Sequence, residues 1–444
     1  MRLGSSTAVA LSLAGCFATT HSSEHQLSKR DEALVALQRG EGARQVATLE
    51  SLFAEHPQDL QLARMVAEAH VQAGSGSALL DRLRAVDTST SHYMQGLVRF
   101  SRAAEAGTQA VSEFRRAAEL DPAEPELHYR LGLALLESEQ YEPSLGPLKT
   151  ATTLAPERAS WQLPLAKALA RSGDSRGAVG AIRAAVLGMP TVSDVKVARS
   201  LMEQLTDPFA EVPSNARPRV EKALQWLEVG DVPQEAIVVL EELLQDYPDL
   251  AAVHALLGLA YARLDDTGRA VDELKSAIER APSDGKNHLY LAQLYLGRQK
   301  AKAAEEHLLV AVDLNPVLDE AWARLGDLAL DRLDYLSARQ RFQVAKSLDP
   351  ENLPVRGKLA LVYQKEQNWP AGDQELRALL EKDPENVVYM LRMGVLHTER
   401  FMASKSRVDR DAAAQEASRW LKKVLELQPE NALASRALAQ VKAR

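Results

Sequence analysis

The chain has 444 residues, of which 26% are charged and only 5% aromatic, with a net charge of −8 at pH 7. That acidic balance leaves no basic stripe to neutralise phosphates and argues against a nucleic-acid partner. With 46% apolar residues the composition fits an Ala/Leu/Glu/Arg-rich helical protein.

At the N-terminus, Arg2 precedes a modest apolar run, residues 8–13, too short to span a bilayer. The run ends in Leu13-Ala14-Gly15-Cys16, and Cys16 is the only cysteine of the chain. These four residues resemble the lipobox of a bacterial lipoprotein signal peptide. The resemblance implies cleavage before Cys16, a diacylglyceryl thioether on its thiol and an acylated new N-terminus. Several acyl chains would anchor stably where one would not. Residues 1–15 then read as signal peptide and 16–25 as lipidated cysteine and flexible tether. Phe17 stands where an Asp would mark inner-membrane retention in many Gram-negative bacteria, which points to the periplasmic face of the outer membrane. The alternative is a short apolar N-terminus with a chance cysteine. His21 and His25 have metal-like spacing but no third ligand, and read as exposed tether histidines.

Beyond the tether a fixed period takes over. Pro122, Pro156 and Pro190, then Pro248, Pro282, Pro316, Pro350 and Pro384, stand 34 residues apart within each series. Such a period marks stacked repeats. Twelve residues before these prolines every position is small: Ala110, Ser144, Ala178, Ala236, Ala270, Ala304, Ala338 and Gly372. Eight before, the residue is large and apolar, from Phe114 and Leu148 to Phe342 and Leu376. Twenty-four before, Gly132, Ala166, Gly258, Ala292, Gly326 and Ala360 are small, while Val98 and Leu224 are not. Small residues let two antiparallel helices approach, a large one fills the gap, and proline ends the second helix.

These residues resemble the tetratricopeptide repeat (TPR) family. The best unit is Trp322–Leu325–Gly326, Ala338, Phe342, Ala345 and Pro350, followed by Leu257–Gly258–Tyr261, Ala270, Leu274, Ala277 and Pro282. His128, His254 and His288 take the slot where the family often has tryptophan, and read as structural fillers between helices. The resemblance implies an all-α, right-handed α-solenoid of helix hairpins. Five units are expected before residue 193, in an N-terminal array over 26–192, with Gly74-Ser75-Gly76 as the turn of a shortened second unit. Residues 193–216 read as a helix without a clear partner and a proline-containing linker. Six units follow in a C-terminal array over 217–431, and 432–444 read as a capping helix built on Leu433, Ala437, Leu438 and Val441. The last unit is eleven residues over-long, with the excess around Phe401–Asp411, either a contact loop or a solvated helix extension.

The sequence carries no nucleotide loop, zinc-type spacing or nucleophile elbow, and no cofactor is expected. In the TPR family the first helix of each unit lines a concave surface. Carried over, that lining is Tyr129, Leu133 and Leu136; Leu259 and Arg263; Leu289 and Leu296; Asp327 and Leu330; Leu361 and Gln364; Leu391 and Val395. Either this leucine row faces an open groove that takes a helix or extended segment of a protein partner, or several members are partly buried between units. Charge differs faintly between arrays, with Arg99, Arg102, Lys167 and Arg171 in the first and Glu221, Glu228, Glu320, Asp327 and Asp331 in the second. The expected function is a non-enzymatic, lipid-anchored scaffold of an envelope machine: pilus or secretin, polysaccharide export or motility apparatus. The alternative is a soluble cytoplasmic adaptor that regulates an enzyme or complex.

Overall fold

The structure, a computed structural model, describes residues 28–101, 107–207, 209–230 and 232–442. The expected signal peptide, Cys16, His21, His25 and Arg102 lie outside the described residues. Two compact units are present, residues 1–120 and 121–444. The expected linker over 193–216 lies inside the second.

The first unit pairs α1 (Lys29–Gln38) with α2 (Val46–Glu55), α3 (Leu60–Gln72) with α4 (Gly76–Leu83), and α5 (Ser89–Phe100) with α6 (Gly107–Leu120). The Gln72 amide fastens the first turn: its Oε1 accepts the Gly42 N–H at 2.7 Å and its Nε2 donates to Leu37 O at 3.0 Å. The shortened second hairpin turns at Gly74, whose φ of +67° is a left-handed conformation that glycine adopts without strain. Val98 is not the close-packing position of the third hairpin. Gly96 is, since a Cβ there would lie 2.6 Å from the Phe114 ring. Gly96 stands 18 residues before Phe114, against 16 from Gly132 to Leu148 and from Gly326 to Phe342, so the register of the first helix slips by two residues.

In the second unit, α7 (Pro125–Glu137) pairs with α8 (Tyr141–Leu154), and α9 (Gln162–Arg171) with α10 (Ser175–Leu187); α11 (Val192–Leu205) follows and is not half of a hairpin. Six further hairpins follow. They are α12 (Arg217–Gln225) with α13 (Pro233–Asp246), α14 (Ala251–Arg263) with α15 (Thr267–Arg280), and α16 (Gly285–Gly297) with α17 (Ala301–Leu314). Then come α18 (Asp319–Asp331) with α19 (Tyr335–Leu348), α20 (Leu353–Lys365) with α21 (Trp369–Lys382), and α22 (Val387–Ala403) with α23 (Arg407–Leu427); α24 (Ala432–Lys442) closes the stack.

The slots read from the period are where the helices meet. Ala110, Ala178, Ala236, Ala270, Ala304 and Ala338 have no exposed surface, and the large residue four positions on is 0–1% exposed from Phe114 to Leu376. An added Cβ at Gly132, Gly258, Gly326 or Gly394 would lie 2.5–2.6 Å from the facing Leu148, Leu274, Phe342 or Leu421. No real Cβ sits that close to a packed side chain, so glycine sets the helix separation. Leu224 cannot fit such a slot. Val220, Ala223 and Leu227 stay buried, Leu224 turns to a half-exposed position, and the helix loosens into a π-turn over Trp226–Gly230.

Five hairpin turns of the second unit repeat one device. Glu139, Asp265, Gln299, Leu333 and Gln367 have φ of 58–60°. The next residue's N–H reaches back to a carbonyl on the preceding helix, as in Lys300 N to Tyr295 O at 2.9 Å and Asp334 N to Ala329 O at 2.9 Å. This six-to-one bond ends the first helix. Asp266, Asp334 and Asn368 then cap the second helix by accepting from Arg269, Ser337 and Ala371 N–H.

At the C-terminal end one open reading is decided and one expectation changes. The eleven extra residues lengthen both helices of the last hairpin and leave only residues 404–406 between them, so Phe401–Asp411 is helix extension rather than loop. Phe401 is buried beneath Arg410, and Arg400 pairs with Asp409. In α24, Leu433 is exposed and Ala434 packs in its place, with Ala437, Leu438 and Val441.

The helix expected to lack a partner has one. α11 packs on α9, α10 and α19, while α10 packs on α17 and α19. Arg183 pairs with Asp313, and Arg199 donates to Asp319 at 3.2 Å and to Leu348 O at 3.3 Å. The Asn315-Pro316-Val317 turn beneath them is buried, whereas Pro248, Pro282 and Pro384 are exposed. Residues 206–216 are also seated rather than free. Val212 and Ala216 are buried, Arg217 donates to Phe209 O at 2.9 Å, and Asn215 donates to the Tyr247 hydroxyl at 2.7 Å.

The histidines do fill the tryptophan slot. Trp322 Nε1 donates to Pro316 O at 2.9 Å, and the Nε2 atoms of His128 and His254 bond Pro122 O and Pro248 O at 2.9 and 3.0 Å. His288 differs. Its Nδ1 lies 3.0 Å from Nδ1 of His307, so one imidazole donates and the other must be neutral to accept. Burial, and then the neighbouring His307, push His288 down to about 4. His307 is lowered by burial and Lys275 against the opposing pull of Glu306.

Two outcomes follow from this packing. Gly326→Val forces its branched side chain into the Phe342 ring and is expected to cost about 2 kcal/mol. Hydrogen exchange should rise in α18, α19 and their immediate neighbours; an equal rise throughout the second unit would contradict nearest-neighbour stacking. Because His288 binds its proton more weakly when folded than at its unfolded value near 6.5, the unfolded chain takes up protons first as pH falls. Stability is therefore full above about pH 6.5 and declines toward pH 4, by at most ~1.4 kcal/mol per pH unit for each proton. His288→Trp should shallow that decline in chemical denaturation at a series of pH values, and an unchanged slope would remove His288 as its source.

Candidate functional site: the first-helix face

The thirteen lining residues carried over from the family do not share one environment. Tyr129 is buried and stacks on Trp161 with ring centroids 4.2 Å apart and an interplanar angle of 8°. Burial pushes its hydroxyl up to about 12. Leu136 and Leu289 are buried as well. These three hold helices together and leave no side-chain surface for a ligand. They correct the simple groove row: each sits where its helix turns toward a neighbouring hairpin.

Leu133, Leu296 and Leu330 are half-buried against the main apolar cluster of the unit, and Leu391 against that of the C-terminal hairpins. Leu361, Gln364 and Val395 are likewise half-buried, and Arg263 is exposed. Asp327 is engaged: Lys358 of the next first helix bonds it at 2.5 Å, and Arg324 stands at 3.9 Å. That ion pair ties α18 to α20 across the face. A half-buried apolar side chain keeps one flank on the core and offers the other to a partner, so Leu133, Leu259, Leu296, Leu330, Leu361, Leu391 and Val395 are the apolar surface that remains.

Leu259 alone of the thirteen opens into a cleft of about 380 Å³. One side is residues 204–207 and 209–212, including Phe209 and Val212. The floor is Leu224, Ala255, Leu256 and Leu259, and the far side is Asp284 and Tyr290. Sequence periodicity gave no means of finding Phe209, Val212 or Tyr290 here, because that side is built by residues outside the repeat. The one local signal was Leu224, the large residue in a small slot.

The cleft is acidic. Glu211 and Glu228 line it and have no ion-pair partner among the described residues. Asp207 accepts the Phe209 N–H at 2.9 Å, and Asp284 caps α16 by accepting the Lys286 N–H at 2.9 Å. Burial pushes the Asp284 carboxyl above the usual carboxylate range, against the pull of Lys286. Tyr290 is raised by burial and by Asp284, Glu228 and Glu320. Among the described residues no group of three or more histidine, cysteine, aspartate or glutamate side chains is placed to hold a metal ion, and no helix is long and apolar enough to cross a membrane.

Comparison with known proteins agrees with the hairpin geometry. Residues 222–285 match the tetratricopeptide repeat family. Among curated proteins, the chain is 29% identical over 84 residues to the Sol locus transcriptional repressor of Clostridium acetobutylicum, covering 19% of this chain and 26% of that one. It is 25% identical over 167 residues to the human protein O-mannosyl-transferase TMTC1, covering 36% and 18%. The match thus spans about a quarter of one relative and under a fifth of the other. Among solved structures, YrrB, described as a TPR protein with an unusual peptide-binding site, aligns with TM-score 0.40 and 16% identity, covering 45% of this chain and 96% of YrrB. PilF of Pseudomonas aeruginosa aligns with TM-score 0.42 and 17% identity, covering 51% and 97%. With the 34-residue period, the glycine and alanine contacts and the capped turns, the match over residues 222–285 identifies the hairpins of this chain as tetratricopeptide repeats.

Proposed function

We propose that this protein is a non-catalytic scaffold, lipidated at Cys16 and held on the periplasmic face of a bacterial outer membrane, where its first-helix face captures a protein of an envelope machine. The pilus or secretin channel, polysaccharide export and the motility apparatus are the candidate machines. The observation that carries the scaffold reading is the row of half-buried leucines, Leu259, Leu296, Leu330, Leu361 and Leu391, repeated from one first helix to the next. Such a row offers a partner apolar area already organised by the core, so little side-chain entropy is lost on binding. The anchoring reading is supported by Leu13-Ala14-Gly15-Cys16 and by the use of no other cysteine. An anchor confines an assembly factor to the membrane in which its client must insert.

Two measurements test the two halves separately. Metabolic labelling with a fatty-acid analogue should mark the wild-type chain and not Cys16→Ser, and intact mass should show loss of residues 1–15 with acyl mass gained. An unlabelled chain retaining Met1 would rule the anchor out. Leu259→Glu with Leu330→Glu should abolish capture of the co-purified partner while circular dichroism stays near wild type, since each leucine is half-solvated when free and each new carboxylate would be desolvated when bound. Full capture by the double variant would move the binding surface off this face.

A further inference from the structure

The cleft beside Leu259 differs from the rest of the face in shape and in charge. We propose that it takes an extended segment of a partner protein in which one large apolar side chain is flanked by lysine or arginine. The proposal rests on the reading of the first-helix face as the partner surface, and it names the chemistry of that partner.

Shape decides for an extended segment. Residues 204–207 and 209–212 line the cleft together with the N-terminal ends of α14 and α16, represented in the lining by Ala251, Ala252, Asp284 and Lys286. The space between is about 380 Å³. That is near the small end of the range for ligand pockets, roughly 300–1,000 Å³, and holds a side chain or two rather than a helix about 10 Å across. The floor of Leu224, Ala255, Leu256 and Leu259 is apolar, so the inserted side chain is apolar.

Charge decides for basic flanks. Asp207, Glu211, Glu228 and Asp284 surround the floor, and none forms an ion pair within 4 Å among the described residues. No carboxylate of the lining is matched in the way that Glu305 is by Arg332 and Arg341, Glu375 by Lys346 and Arg356, or Asp327 by Lys358. Lys286 is the single cation in the lining and does not bond these acids through its ammonium. Burial also disfavours the charge on Asp284, and a cation placed beside it would relieve that penalty. Complementary charge of this kind selects a partner and speeds its approach.

The test uses the purified full chain and three short fluorescein-labelled peptides that share a central phenylalanine and carry Arg, Gln or Glu on both sides. Fluorescence anisotropy should show the Arg-flanked peptide binding at least about tenfold more tightly than the Gln-flanked one, the Glu-flanked one not binding, and the preference shrinking as salt rises. Glu211→Gln with Glu228→Gln and Asp284→Asn should erase the preference, and the asparagine of the third substitution keeps a capping side chain on α16. Ala255→Phe, which fills the floor, should abolish binding of all three. Equal binding of the three peptides, no binding of the Arg-flanked one, or an unchanged preference in the triple variant would overturn the proposal. Should the triple variant and Ala255→Phe still capture the native partner while Leu330→Glu with Leu361→Glu does not, the scaffold reading stands and this cleft is not its contact.

Discussion

The structure depends on how closely two helices can approach within each hairpin. At Gly132, Gly258, Gly326 and Gly394 the absence of a Cβ lets Leu148, Leu274, Phe342 and Leu421 press onto helix backbone. The distance of that contact fixes the crossing of the two helices, because ridges of one must enter grooves of the other. It also over-determines the turn. Leu333 and Gln367 hold a left-handed conformation that costs a side-chain-bearing residue roughly 1–2 kcal/mol, and they hold it because the helices on either side are already locked.

Hairpins become a solenoid through a second set of contacts that are partly ionic. Glu375, only 5% exposed, is bonded by Lys346 at 2.5 Å and Arg356 at 2.9 Å. Arg356 also donates from Nε to Pro350 O, taking the place that tryptophan or histidine fills in other repeats. One carboxylate thus joins α19, α20 and α21. Pairs such as Asp327–Lys358 and Arg339–Glu366 link successive repeats in the same way. Around the Leu259 cleft, four carboxylates share one lining with a single cation, Lys286, and an external cation is their natural complement.

A pure repeat stack has only nearest-neighbour contacts, and its parts open independently. The second unit departs from that. α10 and α11 lie along the edge formed by the Pro316 and Pro350 turns, and Arg183–Asp313 joins residues 130 apart in sequence. The chain that follows α11 then contributes residues 204–207 and 209–212 to the cleft, together with residues of the first helices α14 and α16.

The sequence by itself determined the hairpins. The 34-residue period, the small and large slots, the Gly74 turn, the structural role of His128 and His254 and the helix over 432–442 were legible because helix packing is local and each slot has one steric answer. It also offered the extension of the last hairpin as one of two readings. It misplaced Val98 and Leu433, where two extra residues before Phe114 and a one-residue rotation shift the register, and it left open whether the lining faced a groove or lay partly between units, which is where Tyr129, Leu136 and Leu289 are buried. The tertiary structure alone decided the partner of α11, the seat of residues 206–216 and the acidic cleft. Those depend on contacts between elements a hundred or more residues apart, and no period within a repeat encodes where the edge of one stretch of solenoid meets another.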